Sequence, residues 1–333
     1  MEAVIPAWFE IVSLVVLVLI LVADLVLAYR RPHIPSTRES ALWVGLYVGL
    51  ALVFALVLYL IGDAAHALEF IAGWVTEYSL SIDNLFVFVM IMTKFAVPRK
   101  YQQEVLMVGI VIALVLRGIF ILLGAQLIEN YSWIFYIFGA FLVYTAIRQA
   151  LENHQDMVET ESGVIRYLRK HISITKDFDG AKLRTVVDGK KIFTPILVVF
   201  IAIGATDLIF ALDSIPAIFG ITTNPFIVFT ANIFALMGLR QLYFLLGDLI
   251  DKLVYLHYGI AFILLFIGVK LVLHALHKNE LPFINGGHGV QWAPEISTWT
   301  SLGVIVAAMA VATGASLIKI RLDSRKPAVQ VED

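Results

Sequence analysis

Nine continuously apolar stretches, at about 8–28, 41–62, 67–92, 103–125, 131–149, 194–220, 226–246, 253–276 and 298–318, divide the chain. Each reaches or approaches the ~20 residues that a helix needs to cross a ~30 Å hydrocarbon core. None alternates apolar with polar positions, which excludes a membrane β-barrel. The pattern predicts an all-α, polytopic membrane protein with nine transmembrane helices. The first stretch has neither a basic start nor a small-residue cleavage site, so it is expected to be a retained span.

The connections alternate in charge. Arg30, Arg31 and Arg38 follow the first span, Lys94, Arg99 and Lys100 the third, Lys252 the seventh, and Lys319, Arg321, Arg325 and Lys326 the ninth. The link 150–193 holds eight Lys and Arg, whereas the links after spans two, four and six hold none. Basic loops remain cytoplasmic. The expectation is an N-terminus outside, a C-terminus inside, and 150–193 as a cytoplasmic connector. Within that connector Val164–His171 suits a short surface helix, and Thr185–Phe193, centred on Asp188-Gly189, a hairpin.

Composition agrees. Of 333 residues, 60% are hydrophobic and 15% charged, with a net charge of −2, and the mean hydropathy is +0.88. Too few polar groups exist to cover a soluble protein of this size, and no basic surface suits nucleic acid; the lipid bilayer is the expected partner. With no cysteine, disulfides and thiolate chemistry are excluded. Any metal must be held by oxygen, imidazole or thioether.

Two spans share an uncommon signature. The third contains Thr76-Glu77 and, five residues on, Asp83-Asn84; the sixth contains Thr206-Asp207 and, five residues on, Asp213-Ser214. Leu116-Arg117-Gly118 to Gly124 resembles Leu239-Arg240-Gln241 to Gly247, and Gly139–Val143 resembles Gly268–Val272. Spans 3–5 (67–151) and 6–8 (194–277) therefore read as two copies of one unit, with 8–28, 41–62 and 298–318 as accessory helices. An odd number of spans per copy inverts the second relative to the first. Inverted repeats are characteristic of secondary transporters, whose site lies near the midplane at the repeat interface.

Four membrane carboxylates, Glu77, Asp83, Asp207 and Asp213, would cost roughly 10–14 kcal/mol together on insertion scales. Their available partners, Arg117, Arg240 and Lys270, are too few to neutralise them one to one, which favours cation binding and gives those bases, with Asp24, a coupling or gating role. Positions i and i+6 lie about 120° apart and ~9 Å along a helix, whereas i and i+7 share a face. Thr76/Asp83 and Glu77/Asn84 form two stripes, repeated as Thr206/Asp213 and Asp207/Ser214. Two arrangements remain open: local unwinding near Gly204 and Pro216 that converges all four acids, or an antiparallel crossing that brings Glu77 to Asp213 and Asp83 to Asp207. Thr76, Asn84, Thr206, Ser214 and Asn232 are auxiliary ligand candidates. This oxygen set suits Mn²⁺, Mg²⁺ or Ca²⁺. Met90 and Met92 are expected to pack; Asp63, His66 and Glu69 to form a solvated rim; and His274, His277 and His288 to be loop or helix-end residues rather than a metal cluster.

No phosphate-binding loop and no His-Glu-x-x-His pair occurs, so neither an ATP-driven pump nor an enzyme is expected. Expelling a dication against an inside-negative potential costs about 4.6 kcal/mol per 100 mV, and clustered carboxylates suit exchange against protons.

The stretches Glu77–Phe88 and Thr206–Phe219 resemble the paired signatures of the TerC family, integral membrane proteins named for tellurium resistance and placed among LysE-type transporters. The resemblance spans about 40–320 and departs at Gly204, where many relatives carry a glutamate. It implies Mn²⁺ export, with Glu77, Asp83, Asp207 and Asp213 as metal-site residues and no prosthetic group. It also implies a role in supplying metal to exported proteins. A scaffold or chaperone docked on the secretion machinery, and a Ca²⁺ or Mg²⁺ carrier, are the competing expectations.

Overall fold

Capping and proline placement set where the helices begin. In the computed structural model, which describes residues 5–30, 35–131, 133–151, 174–175, 178–180, 182–187, 190–246 and 255–323, α1 (Ala7–Arg30) is followed by α2 (Thr37–Ile61) and α3 (Ala64–Lys94). The Ser36 hydroxyl accepts from Glu39 N at 3.2 Å and opens α2. The Asp63 carboxylate accepts from His66 N at 2.9 Å and opens α3. Both satisfy amides that a helix start leaves unpaired. Asp63 also pairs with the His66 ring at 2.7 Å, so this expected rim is a built cap.

After α4 (Arg99–Asn130) and α5 (Ile134–Leu151), β1 (Arg184–Val187) and β2 (Lys190–Phe193) form the expected hairpin in antiparallel register, Val187 opposite Lys190. Asp179 anchors it by accepting from Thr185 Oγ1 at 2.8 Å. That bond and the Lys182 ammonium hold the Asp179 carboxyl below the usual carboxylate range. The Thr194 hydroxyl donates to the Lys182 carbonyl and ties the hairpin to the next helix. The expected surface helix 164–171 lies outside the described residues.

α6 (Pro195–Phe219) and α7 (Pro225–Met237) each begin with proline, where a missing N–H costs nothing. α8 (Leu239–Leu246), α9 (Leu256–His277) and α10 (Thr298–Asp323) complete the chain. Counting α7 and α8 as one span, nine helical spans among the described residues are long and apolar enough to cross a membrane.

Of the two arrangements left open, local unwinding near Gly204 and Pro216 does not occur: α3 and α6 both run unbroken through their motifs. Pro216 stands in the last turn of α6, where it forgoes its backbone bond to the Leu212 carbonyl without ending the helix before Phe219. The break lies instead at Gly238, between α7 and α8, whose Cα faces the Tyr78 ring closely enough that an added Cβ would sit 3.4 Å from it.

α3 contributes to all three apolar clusters, through Phe70 and Trp74, through Leu85 and Phe88, and through Ala72 and Leu80. The span α7–α8 is 89% buried, whereas those of α1 and α10 are each 22% buried. The apolar outer faces of α1, α2 and α10 are thus the lipid-facing skin. At the centre α3 packs on α7, α4 on α6, and α5 on α9. At the α5–α9 crossing a Cβ on Gly139 would meet Val272, and one on Gly268 would meet Val143. Residue numbers rise on one helix as they fall on the other, so the pair is antiparallel.

Candidate functional site: a buried arginine between two repeated motifs

The centre is built on Arg117 of α4, which is 1% exposed. Its Nη1 donates to Glu77 Oε2 of α3 and, at 2.8 Å, to Asn232 Oδ1 of α7. Its Nη2 lies 3.8 Å from Asp207 Oδ1 of α6, an ionic contact rather than a hydrogen bond. With the Asn84 amide oriented to satisfy both neighbours, its oxygen accepts from Nη2 at 3.1 Å and its nitrogen donates to the Leu80 carbonyl at 3.1 Å. Asn232 likewise donates to the Val228 carbonyl at 3.1 Å. Both amides are fixed with their oxygens towards the guanidinium.

Arg117 draws together the Glu77/Asn84 stripe of α3 and Asp207 of α6. Glu77 and Asn84 both reach Arg117, and their counterparts Asp207 and Ser214 are also buried. Thr206 and Asp213, on the other α6 stripe, are half-buried, and Asp213 accepts from Thr145 Oγ1 of α5 at 3.1 Å. The Thr76 hydroxyl is spent on the Ala72 carbonyl of its own helix, at 2.7 Å. The Asp83 side chain lies outside the described residues. Of the two open arrangements, the crossing that would bring Glu77 to Asp213 is not the contact seen: Glu77 and Asp207 share the guanidinium, while Asp213 meets Thr145.

Two carboxylates against one guanidinium leave one uncompensated negative charge. Among the described residues Glu77 Oε1, Asp207 Oδ2 and Ser214 Oγ find no hydrogen-bond partner. Burying such atoms is costly unless something polar or charged meets them. Glu77 and Asp207 thus each keep a buried oxygen that a cation could meet, whereas Ser214, seven residues on from Asp207, stands about 10 Å further along α6.

The other bases are placed elsewhere. Arg240, the repeat counterpart of Arg117, donates to Asp24 Oδ1 of α1 at 2.8 Å, and Tyr47 and Gln241 also interact with that carboxylate. Arg240 borders a cleft of about 200 Å³ also lined by Glu39, Trp43, Gln103 and Phe244. Asp24→Asn is expected to cost about 1–3 kcal/mol, since it leaves Arg240 without its anion. Thermal unfolding in detergent should show the loss, and Arg240→Gln added to Asp24→Asn should return part of it. Lys270 of α9 donates to Ser301 Oγ of α10 at 2.9 Å and holds an accessory helix.

Two contacts were not signalled by the sequence pattern. Thr222 Oγ1 donates to Glu69 Oε2 at 2.6 Å, so this acid ties α3 to the turn after α6 and is no solvated rim. Asn279 organises the loop after α9, donating to the carbonyls of Leu281 (3.3 Å), Ile284 (2.6 Å) and His288 (3.4 Å) while accepting from Tyr136. His274 packs edge-on against Phe135, and His277 meets the Ala293 carbonyl.

Apolar spans around a buried charge cluster define a polytopic integral membrane protein. The family model of the "Integral membrane protein TerC family" matches residues 62–324, and the chain belongs to that family. It is 44% identical over 313 residues to an uncharacterized membrane protein of Mycobacterium tuberculosis, covering 93% of this chain and 79% of the relative. A second uncharacterized membrane protein, from Myxococcus xanthus, is 38% identical over 314 residues, with coverages of 94% and 92%. Alx of Escherichia coli K12, named as a proposed membrane-bound redox modulator, is 41% identical over 268 residues, with coverages of 78% and 84%. No solved structure gives a significant match.

Proposed function

We propose that this protein is a secondary transporter that exports Mn²⁺ across the cytoplasmic membrane in exchange for protons. Its N-terminus lies outside and its C-terminus inside. The observation that carries this reading is the convergence of Glu77, from one motif, and Asp207, from its repeat, on a single guanidinium, with negative charge in excess. Structural ion pairs need no surplus; a cation site does.

The packing supports an inverted repeat. Exchanging the two units maps the contact of α3 with α7 onto that of α6 with α4, and maps α5–α9 onto itself. The antiparallel α5–α9 crossing fits units of opposite orientation, and the cluster sits where they meet. Oxygen donors suit a hard dication; manganese among the dications comes from the family resemblance. Cytoplasmic placement of the basic loops follows the positive-inside rule. The redox name of the Escherichia coli relative finds no thiol chemistry to act through here, since the chain has no cysteine.

The test is efflux of radiolabelled Mn²⁺ from vesicles holding the purified chain, with Ca²⁺ and Mg²⁺ as competitors. Wild type is expected to move Mn²⁺ and to respond to a pH gradient, and Asp207→Asn to slow efflux by at least about tenfold. Equal efflux in both, or no flux in wild type, removes the transport reading. A scaffold on the secretion machinery would show that second result.

A further inference from the structure

We propose that Arg117 is a tethered stand-in for the transported cation: its guanidinium occupies the site between Glu77 and Asp207 when the carrier is empty, and the arriving dication displaces it onto the amide oxygens of Asn232 and Asn84. This inference rests on the transport reading above and adds how the empty site returns.

The geometry around the guanidinium has two sides. Towards α3 and α6 stand two carboxylates, Glu77 and Asp207. Towards α7 and the next turns of α3 stand two neutral acceptors, Asn232 Oδ1 at 2.8 Å and the Asn84 oxygen at 3.1 Å. Each amide is locked by its own nitrogen to a helix carbonyl, so both oxygens stay aimed at Arg117 whatever occupies the carboxylates. The hold on Asp207 is loose, at 3.8 Å.

Charge decides what must happen when a dication arrives. With Arg117 in place one negative charge remains, which a dication overshoots, and its charge is repelled by the adjacent guanidinium. With the guanidinium drawn back to the amides, the two carboxylates neutralise the dication alone. On the return without metal the demand reverses: two bare carboxylates in a low-dielectric core are costly, so the guanidinium, always at hand as part of the chain, neutralises one and the exchanged proton the other. Arginine suits this task because it keeps its charge when buried. The amide oxygens would satisfy a purely structural guanidinium as well, but a lone salt bridge would not need the second carboxylate.

The experiment compares two transport modes of the full chain in liposomes with radiolabelled Mn²⁺. In exchange, Mn²⁺ is present on both sides and the carrier never crosses empty; in net efflux the far side lacks Mn²⁺ and the empty carrier must return. Arg117→Gln is expected to slow both modes, but to lower net efflux at least about tenfold more than exchange, because the buried-charge cost falls most heavily on the return without metal. Arg117→Lys is expected to restore part of the net efflux. Wild-type net efflux in Arg117→Gln, or equal loss of both modes, overturns the inference while leaving wild-type transport standing. If Arg117→Gln does not fold, Asn232→Leu decides: with one parking oxygen gone, the KM for Mn²⁺ in exchange should rise about tenfold at an unchanged maximal rate. An unchanged KM, or a fallen maximal rate, overturns the inference. Wild-type liposomes silent in both modes overturn the transport reading itself.

Discussion

Glu77→Leu is expected to destabilise the protein by about 3–5 kcal/mol, the cost of breaking a buried ion pair from one side. Glu77 is fully buried and Arg117 is 1% exposed, so no water reaches the charge left behind. Arg117 would keep only the 3.8 Å contact to Asp207 and two neutral amides. Arg117→Leu alone should cost a similar amount, because it leaves two carboxylates facing each other without their cation. The double variant Glu77→Leu/Arg117→Leu should be far milder than the two singles added together, since apolar groups of similar volume then fill the space. Denaturation midpoints of all four proteins in detergent close this cycle. Additive losses would show that the two charges do not interact.

Gly139→Val is expected to cost about 3 kcal/mol, at the upper end of what overpacking does in a filled core. A Cβ on Gly139 would stand 2.7 Å from the Gly268 carbonyl oxygen and 2.7 Å from Val272 Cγ2; one on Gly268 would stand 2.9 Å from the Gly139 carbonyl oxygen. Backbone atoms on both sides cannot rotate away, so α5 and α9 would have to separate along the most extensive helix contact in the fold. Small residues allow such close approach, and in lipid it is van der Waals packing that holds helices together. Gly303→Ala and Gly314→Ala are the controls: both positions face open space, and helix propensity alone predicts a gain of up to about 1 kcal/mol. A Gly139 variant as stable as those controls would refute the close crossing.

Much of this was legible in the sequence. Nine spans follow from run length, and Thr76-Glu77/Asp83-Asn84 with Thr206-Asp207/Asp213-Ser214 marked the two helices that carry the cluster. The Gly139 and Gly268 segments, noticed only as similar strings, turn out to touch each other. Which stripe of each motif faces inward was not legible. Spans that meet lipid are apolar on every side, so their hydrophobic period does not point to the core as it does in water. Nor could spacing separate Arg117 from Arg240, because their local sequences match and only the third dimension puts α1 beside one of them. The break at Gly238 was overlooked because the apolar run continues across it and proline, which stood elsewhere, drew the expectation to α6.

The bond between Asp24 and Arg240 has a further consequence. A perfectly duplicated molecule would present the same arginine twice about its axis, and its inward-open and outward-open forms would be mirror twins of equal energy. Here α1, from outside the similar segments, holds one arginine of the pair, and Arg117 alone stands among the buried acids. On the transport reading proposed above, that lopsided build would give the carrier a favoured idling posture.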